Sequence, residues 1–584
     1  MKKLIYFSVI VLVLPVLSAC EDFLDTKSYT TKDGGSFPKN PDDVAQLVTG
    51  VYAQFNQIGP MSSDYLMIAE LACDDRFGGG GEDDKSCQAI SHLMYTNADE
   101  FSGYWGARYT GIARANVALN AIESMEDYEG KDQKIGEVKF LRANWYFELV
   151  QLLGDVPLMS SVPQSADEVK DAPPQVSQEE IYKQIATDLW DAYTGMPAVS
   201  YKTYPSGTAT KWAAAGLLAR VYLFYTGFYD KPDLPREGGT VTKADVIAAL
   251  EVCMDKSKSG HDLVQDFRQL WPYSNTATAK EYPYVADMVA KGMEWLEGSE
   301  NPEVIFATKF TNLGQWDPGG LVNYSNMFPT FFGLRSQSDY SATFPLTEGW
   351  GFGPVNTRLW EKWETDEPSD MRRVASIWSL EDEAPDPDEF EWGGDRQMEE
   401  TGLWAKKMNA FGAYKDNGTL LSSFMSHPDY CNSSRDDYQL EHGTDVIRIR
   451  FADILLMHSE LTGTPDGMNK VRARVDLPPV GSYTFEALQK ERRYELAFEG
   501  LRWGDIRRWG IAEEVLDNIY GVDICNNQRW TTMKPQSPGG VKERYKLTKG
   551  FFNKPRQEID LSNGAYIQNE GWNTPDANFL QLND

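Results

Sequence analysis

The densest set of groups able to do acid–base chemistry runs from Glu491 to Arg508. There Glu491, Glu495, Glu499 and Asp505 alternate with Arg492, Arg493, Arg502, Arg507 and Arg508. Two carboxylates of different proton affinity are what a hydrolase needs. The spacing argues for something else. Intervals of three and four residues on a helix give each carboxylate an arginine partner, so the set reads as a partly buried ion-pair network that fixes packing. Asp74-Asp75-Arg76, followed by Gly78 to Gly81, is the second candidate. It lacks the Gly-Lys-Ser/Thr ending of a phosphate loop, and its acids repel phosphate. As a glycoside-cleaving pair the two aspartates are sequence neighbours, whereas such carboxylates must face each other about 5–9.5 Å apart. A loop carrying polar ligand contacts is the better reading. The acidic run Glu381 to Glu391 lacks the spacing of a calcium loop and reads as solvated. His92, His261, His427, His442 and His458 lie far apart, outside any zinc spacing, so no metal and no cofactor is expected.

The aromatic residues carry more weight. Between 271 and 350 stand Trp271, Tyr273, Tyr282, Tyr284, Trp295, Trp316, Tyr324, Phe328, Phe331, Phe332, Tyr340 and Trp350, many beside Gly, Pro or Asn and off any helical stripe. Rigid rings give large contact area at low entropic cost, and they suit the C–H face of a sugar while Asn, Asp and Arg take its hydroxyls. Burial in a loop core is the competing fate for each single ring.

The elements that position these groups are mostly helical. Val44, Leu47, Val48, Val51 and Phe55 form an apolar stripe that Asp42 or Asp43 can cap. Further helices are predicted over Tyr104–Met125, from Ile135 to Leu152, and over Ser177–Tyr193, Thr208–Tyr225 and Thr242–Lys256. The Ile135–Leu152 helix stops at Gly154-Asp155-Val156-Pro157. The small residues of 208–225 allow a close neighbour. Paired helices of this length suggest a degenerate tetratricopeptide-like solenoid. Residues 261–450 have little period and read as a loop-rich part, and a second helical block spans 452–517.

The chain has 584 residues and a formal net charge of −31, which excludes nucleic acid and a polybasic membrane patch. Beyond the N-terminus no stretch is apolar enough to span a bilayer. Met1-Lys2-Lys3, the apolar Leu4 to Leu17 and then Leu17-Ser18-Ala19-Cys20 read as a signal peptide ending at a lipidated cysteine. Of the other cysteines, Cys73 and Cys87 can bridge in an oxidising compartment, with Cys431 and Cys525 a weaker pair.

Several segments together resemble one family, the SusD/RagB outer-membrane lipoproteins of Bacteroidetes-type bacteria. They are Gly136 to Val150 running into Gly154–Pro157, Thr208 to Tyr222, Asn301 to Phe306, Arg448 to Glu460, Met468 to Arg474, Glu491 to Gly510, and the close at Glu558–Asp560 and Gln568-Asn569. The resemblance implies a mainly α fold, with tetratricopeptide-like helical pairs packed against an irregular loop-rich subdomain. The expected division is 1–19 signal peptide, 20–40 lipidated tether, 41–260 N-terminal helical part, 261–450 ligand-binding subdomain, and 451–584 C-terminal helical part and tail. It further implies a non-enzymatic, surface-exposed lipoprotein of the outer membrane. Such a protein captures an oligosaccharide and delivers it to a SusC-like TonB-dependent barrel, closing over it as a lid. Glu21 and Asp22, after Cys20, resemble the family's surface-export signal. Peptide cargo is the near variant, and a surface glycoside hydrolase the rival from another class. By position in the family, the expected ligand contacts are Trp316, Tyr324, Asp74 and Arg76, then Trp271 and Trp105.

Overall fold

In the computed structural model the described residues are 37–56, 63–162, 173–311, 314–317, 320–415, 417–421, 439 and 442–573, with backbone alone for 314–317 and 320–323. Cys20, Glu21, Asp22, His427 and Cys431 lie outside them. The N-terminal half is a run of helices: α1 (Pro41–Tyr52), α2 (Tyr65–Leu71), α3 (Lys85–Ser91), α4 (Ser102–Glu123), α5 (Lys131–Leu153), α6 (Gln178–Gly195), α7 (Lys211–Tyr229) and α8 (Lys243–Met254). Local chemistry sets their starts. Asn40, not Asp42 or Asp43, caps α1, accepting from the Asp43 N–H at 3.0 Å, because Pro41 takes the first helical position. The two aspartates occupy the first turn, where they complement the helix dipole. Thr210 caps α7, and Thr242 with Asp245 forms a capping box at α8.

The helices stack in order: α4 on α5, α5 on α6, α6 on α7 and α7 on α8. The stack then continues across a gap of nearly two hundred residues. Helix α8 packs on α9 (Phe451–Thr462), and α9 packs on α10 (Asp466–Arg474) and on α11 (Phe485–Glu495). Helix α12 (Arg502–Arg508) returns to lie against α7. The solenoid is therefore one body built from both ends of the chain, and the loop-rich part is inserted into it. Strand β1 (Val304–Thr308) pairs antiparallel with the last strand of the insert, Val446–Arg450, at the junction, with Val446 opposite Thr308 and Arg450 opposite Val304. Helix α7 approaches this ribbon at Gly216. A Cβ there would stand 3.0 Å from side-chain carbons of Ile449 and Ile454, so the small-residue helix is what allows the contact.

The insert has its own apolar centre. Phe267, Trp271, Tyr273, Tyr282, Phe344, Trp378, Trp404 and Phe411 form a cluster separate from that of the helices. This core consumes many of the rings expected to be free for ligand. The helical stack and the insert are joined by buried ions. Arg450 reaches Glu303 at 2.8 Å, Glu495 at 2.5 Å and Glu499 at 2.7 Å, all of them buried. Arg372 bonds Asp370, Glu491 and Glu495. Burial alone would raise the Glu495 pKa, but the guanidiniums of Arg474, Arg450 and Arg372 hold it well below the ordinary range. At Asp453, Arg220 and Arg492 likewise overcome burial and hold the pKa at about 2. The Glu491–Arg508 segment is thus a structural network, as expected, but only Asp505 takes its arginines, Arg492 and Arg508, from within the segment; the glutamates pair with Arg372, Arg450, Arg472 and Arg474 from elsewhere in the chain.

Candidate functional site

Tyr324 is the sequence-predicted contact that the structure leaves open, at 52 % exposure. It stands at the foot of a hairpin made of β2 (Gly314–Asp317) and β3 (Gly320–Asn323), in which Trp316 pairs with Leu321. The foot is rigid. The Thr311 N–H donates to the Tyr324 carbonyl at 2.7 Å. Two residues on, the Asn326 N–H donates to the His442 carbonyl at 2.7 Å, and its side-chain amide donates to the Thr444 carbonyl at 3.1 Å. Phe328 stacks on Phe332, and Arg448 sits 5.9 Å from the Phe328 ring and 6.0 Å from that of Phe55. Lys309 pairs with Asp445 at 2.5 Å. Burial raises the Asp445 pKa to about 6, against the pull of Lys309. The Asn56 amide donates to the Lys309 carbonyl, so the end of the first helical segment borders the same surface. The result is an exposed phenol on a fixed base, with the Lys309–Asp445 pair two residues from Thr311 in the segment that holds it. That chemistry suits stacking plus hydrogen bonding to a polar, uncharged ligand.

Of the other five expected contacts, four do not join it. The side chain of Trp316 is outside the described residues. Asp74 is 1 % exposed and is clamped by Arg502 at 2.8 Å and Arg493 at 3.2 Å. Arg76, also 1 % exposed, pairs with Glu70 at 2.8 Å and lies between the rings of Phe332 and Phe498. Both are structural ions rather than ligand contacts: Arg502 and Arg493 from distant helices neutralise Asp74, and Glu70, six residues away, neutralises Arg76. Trp105 is buried against Tyr109 and Tyr566. Trp271 is buried beside Phe267 and Lys407. The cavity that Trp271 borders holds about 40 Å³, room for a water and not for a sugar ring. Sequence reasoning missed two exposed rings among the described residues, Phe485 at 40 % and Trp530 at 58 %; the second is the more open. Its signal was the turn-forming Asn526-Asn527-Gln528 between two short apolar-containing runs.

Among the described residues no group of three His, Cys, Asp or Glu side chains could hold a metal ion. Cys73 and Cys87 are buried free thiols, so the bridge considered for them is absent; Cys525 is also free. The carboxylates with strongly raised pKa are Glu399 and Glu400, pushed by burial to about 7 and about 8. They are sequence neighbours, each held by a backbone N–H, Gly79 for one and Gly393 for the other. An acid with a raised folded-state pKa favours the fold at low pH. That contribution is complete below its unfolded value of about 4.3 and is lost as pH rises to about 8. The unfolding free energy should therefore contain a downward component between pH 5 and 8. Glu400→Gln keeps the Gly393 bond and should flatten part of that slope in urea titrations run across this range. An unchanged slope would acquit Glu400.

The comparisons with known proteins follow the same lines. A family model described as starch-binding, associating with the outer membrane, matches residues 22–223, and the SusD family model matches 359–572. A SusD-like protein of Formosa agariphila is 23 % identical over 551 residues, covering 89 % of this chain and 95 % of its own. A solved laminarin-binding SusD-like protein is 25 % identical, with a TM-score of 0.67 over 91 % of this chain and all of that one. The surface glycan-binding protein A of Bacteroides thetaiotaomicron, solved with laminarihexaose, is 17 % identical with a TM-score of 0.65 over the same shares. The fold is therefore the mainly α SusD fold. With the two family models together matching well over half of its length, the chain belongs to the SusD/RagB family.

Proposed function

We propose that this is a lipid-anchored, surface-exposed binding protein of the outer membrane. It captures an oligosaccharide and delivers it to a partner TonB-dependent barrel transporter, over which it acts as a lid. The observation that carries the reading is the exposed Tyr324 ring on its rigid foot, beside the hairpin that bears Trp316. The glycan-binding names of two similar solved structures support the ligand class. Tyr324 supplies the stacking face and Trp316 the second ring. No catalytic residue is assigned: the ionised carboxylates of the network face arginines, and Glu399 and Glu400 are buried.

The test uses the chain without residues 1–20 and calorimetry against a glycan panel that includes laminarihexaose. Tyr324→Ala is expected to weaken binding about tenfold or more, since an exposed aromatic anchor contributes on the order of 2 kcal/mol. Binding of peptides in place of any glycan would move the cargo to the peptide class. Product release that stops with one carboxylate substitution would replace the binding role with hydrolysis.

A further inference from the structure

Trp530 does not stand alone. Its ring centroid lies 4.7 Å from that of Trp392, with the planes tilted by 56°, so the two indoles form an open V and Trp530 is 58 % exposed. Trp392 is backed from below by Phe390 at 5.1 Å, which itself rests on Trp404. Trp530 rides on the hairpin Asp523–Asn526 and Arg529–Thr532, where it faces Cys525 across the strands. That hairpin is fastened to the loop carrying Trp392. Glu400 and Cys525 exchange both backbone bonds, at 3.0 and 2.8 Å, and the Asn527 N–H donates to the Gln397 carbonyl at 2.7 Å. Gly393, next to Trp392, has φ +68, and a Cβ there would come within 2.0 Å of the Gln528 nitrogen. Only glycine lets the two loops close this tightly. Both indoles are therefore held in place before any ligand arrives.

The surroundings are polar. The alternation of the strands puts Asp523 and Thr532, which face each other, on the same side as Trp530, and both are exposed. Gln528 and Arg529 are also exposed, and their side chains make no hydrogen bond or ion pair among the described residues.

We propose that Trp392 and Trp530 form a second carbohydrate platform, which stacks one pyranose unit of a longer glycan while Asp523 and Thr532, on the same face of the hairpin, take its hydroxyls. This rests on the glycan reading of the Tyr324 surface and extends it to a second contact point. A protein partner fits less well. Two indoles offer on the order of 150–250 Å² each, ringed at once by polar groups, whereas a stable protein interface buries about 1,000 Å² or more. A sugar ring needs only the platform.

Two contact points on one rigid body predict avidity for long glycans. Wild type, Trp530→Ala, Trp530→Phe and Tyr324→Ala are compared, each lacking residues 1–20. They are run by affinity electrophoresis in laminarin, xylan and starch gels, and by calorimetry with the hexasaccharide of whichever polymer retards the wild type. Trp530→Ala should bind the polymer about tenfold more weakly and the hexasaccharide like wild type. Trp530→Phe should fall between them, and Tyr324→Ala should lose both. Polymer binding by Trp530→Ala equal to wild type overturns the platform while leaving the Tyr324 reading intact. So does a Trp530→Ala defect confined to capture of the transporter, which would make the indoles a protein contact. Wild type that binds no glycan overturns both readings together.

Discussion

Arg450→Met is expected to lower the unfolding free energy by about 3–5 kcal/mol, the cost of breaking a buried ion pair by removing one partner. The size follows from what is left behind. Arg450 is 1 % exposed and donates to Glu303, Glu495 and Glu499 and to the Glu495 carbonyl at 2.6 Å. Without it, Glu495 keeps Arg474 and Arg372, and Glu499 keeps only Lys407, whose own pKa burial depresses to about 8. Methionine fills the volume but supplies no charge. Its partners come from the end of α11 and the segment just after it, and from Glu303 at the edge of β1, so the loss loosens the joint between helices and insert. A urea titration reads the effect as a shift of the midpoint. The surface pair Arg556–Asp560, 66 % and 58 % exposed at its side chains, is the control, and Arg556→Met should leave the midpoint where it is. Equal midpoints for Arg450→Met and wild type would mean that the network is incidental.

The contrast between those two pairs also explains what could be read from the chain alone. The helices were legible because each is fixed by neighbours: Ile135, Val138, Leu141, Trp145 and Leu149 repeat at the helical period, and caps such as Thr242 sit beside them. That the 491–508 segment is paired was legible from arginines and acids alternating along it, but its partners were not, since Arg450 and Arg372 lie 45 and 123 residues from Glu495. Asp74 was misread because its partners are remote. Arg493 and Arg502 lie 419 and 428 residues from Asp74, so a run of acids beside four glycines carried no local sign of burial. The aromatic insert was legible only in bulk. Tyr273 meets Phe411, and Trp378 meets Trp404, through tertiary contacts without any period, so which rings were core and which were free could not be separated. The exposure of Tyr324 is legible because it stands between Asn323 and Asn326, off any stripe, where a buried ring would need apolar neighbours. Trp530 escaped because its partner Trp392 lies far away in sequence and neither falls within the aromatic-rich window.

Cys20→Ala is expected to abolish retention at the membrane while leaving glycan affinity unchanged. The proposed anchor and the proposed binding surface belong to different parts of the chain. Cys20 precedes Phe37, where the described chain begins, and Phe37 borders a groove between α1 and α4 with Leu47, Tyr109 and Val117. Tyr324 lies on the insert. An acyl anchor contributes about 0.8 kcal/mol per buried methylene, so two or more chains hold a protein on the membrane and none leaves it free. No described helix is long and apolar enough to cross a membrane, and the net charge of −31 opposes adsorption to anionic lipid. The tether also limits position. From Cys20 to Phe37 the chain cannot extend beyond about 60 Å, roughly one diameter of a body this size, so an anchored protein stays within reach of a transporter in the same membrane. Fractionation of cells expressing Cys20→Ala should find the protein in the soluble fraction, and calorimetry on that material should return the wild-type affinity. Retention without Cys20 would locate the anchor elsewhere. Lost affinity would mean that the N-terminal segment takes part in the site.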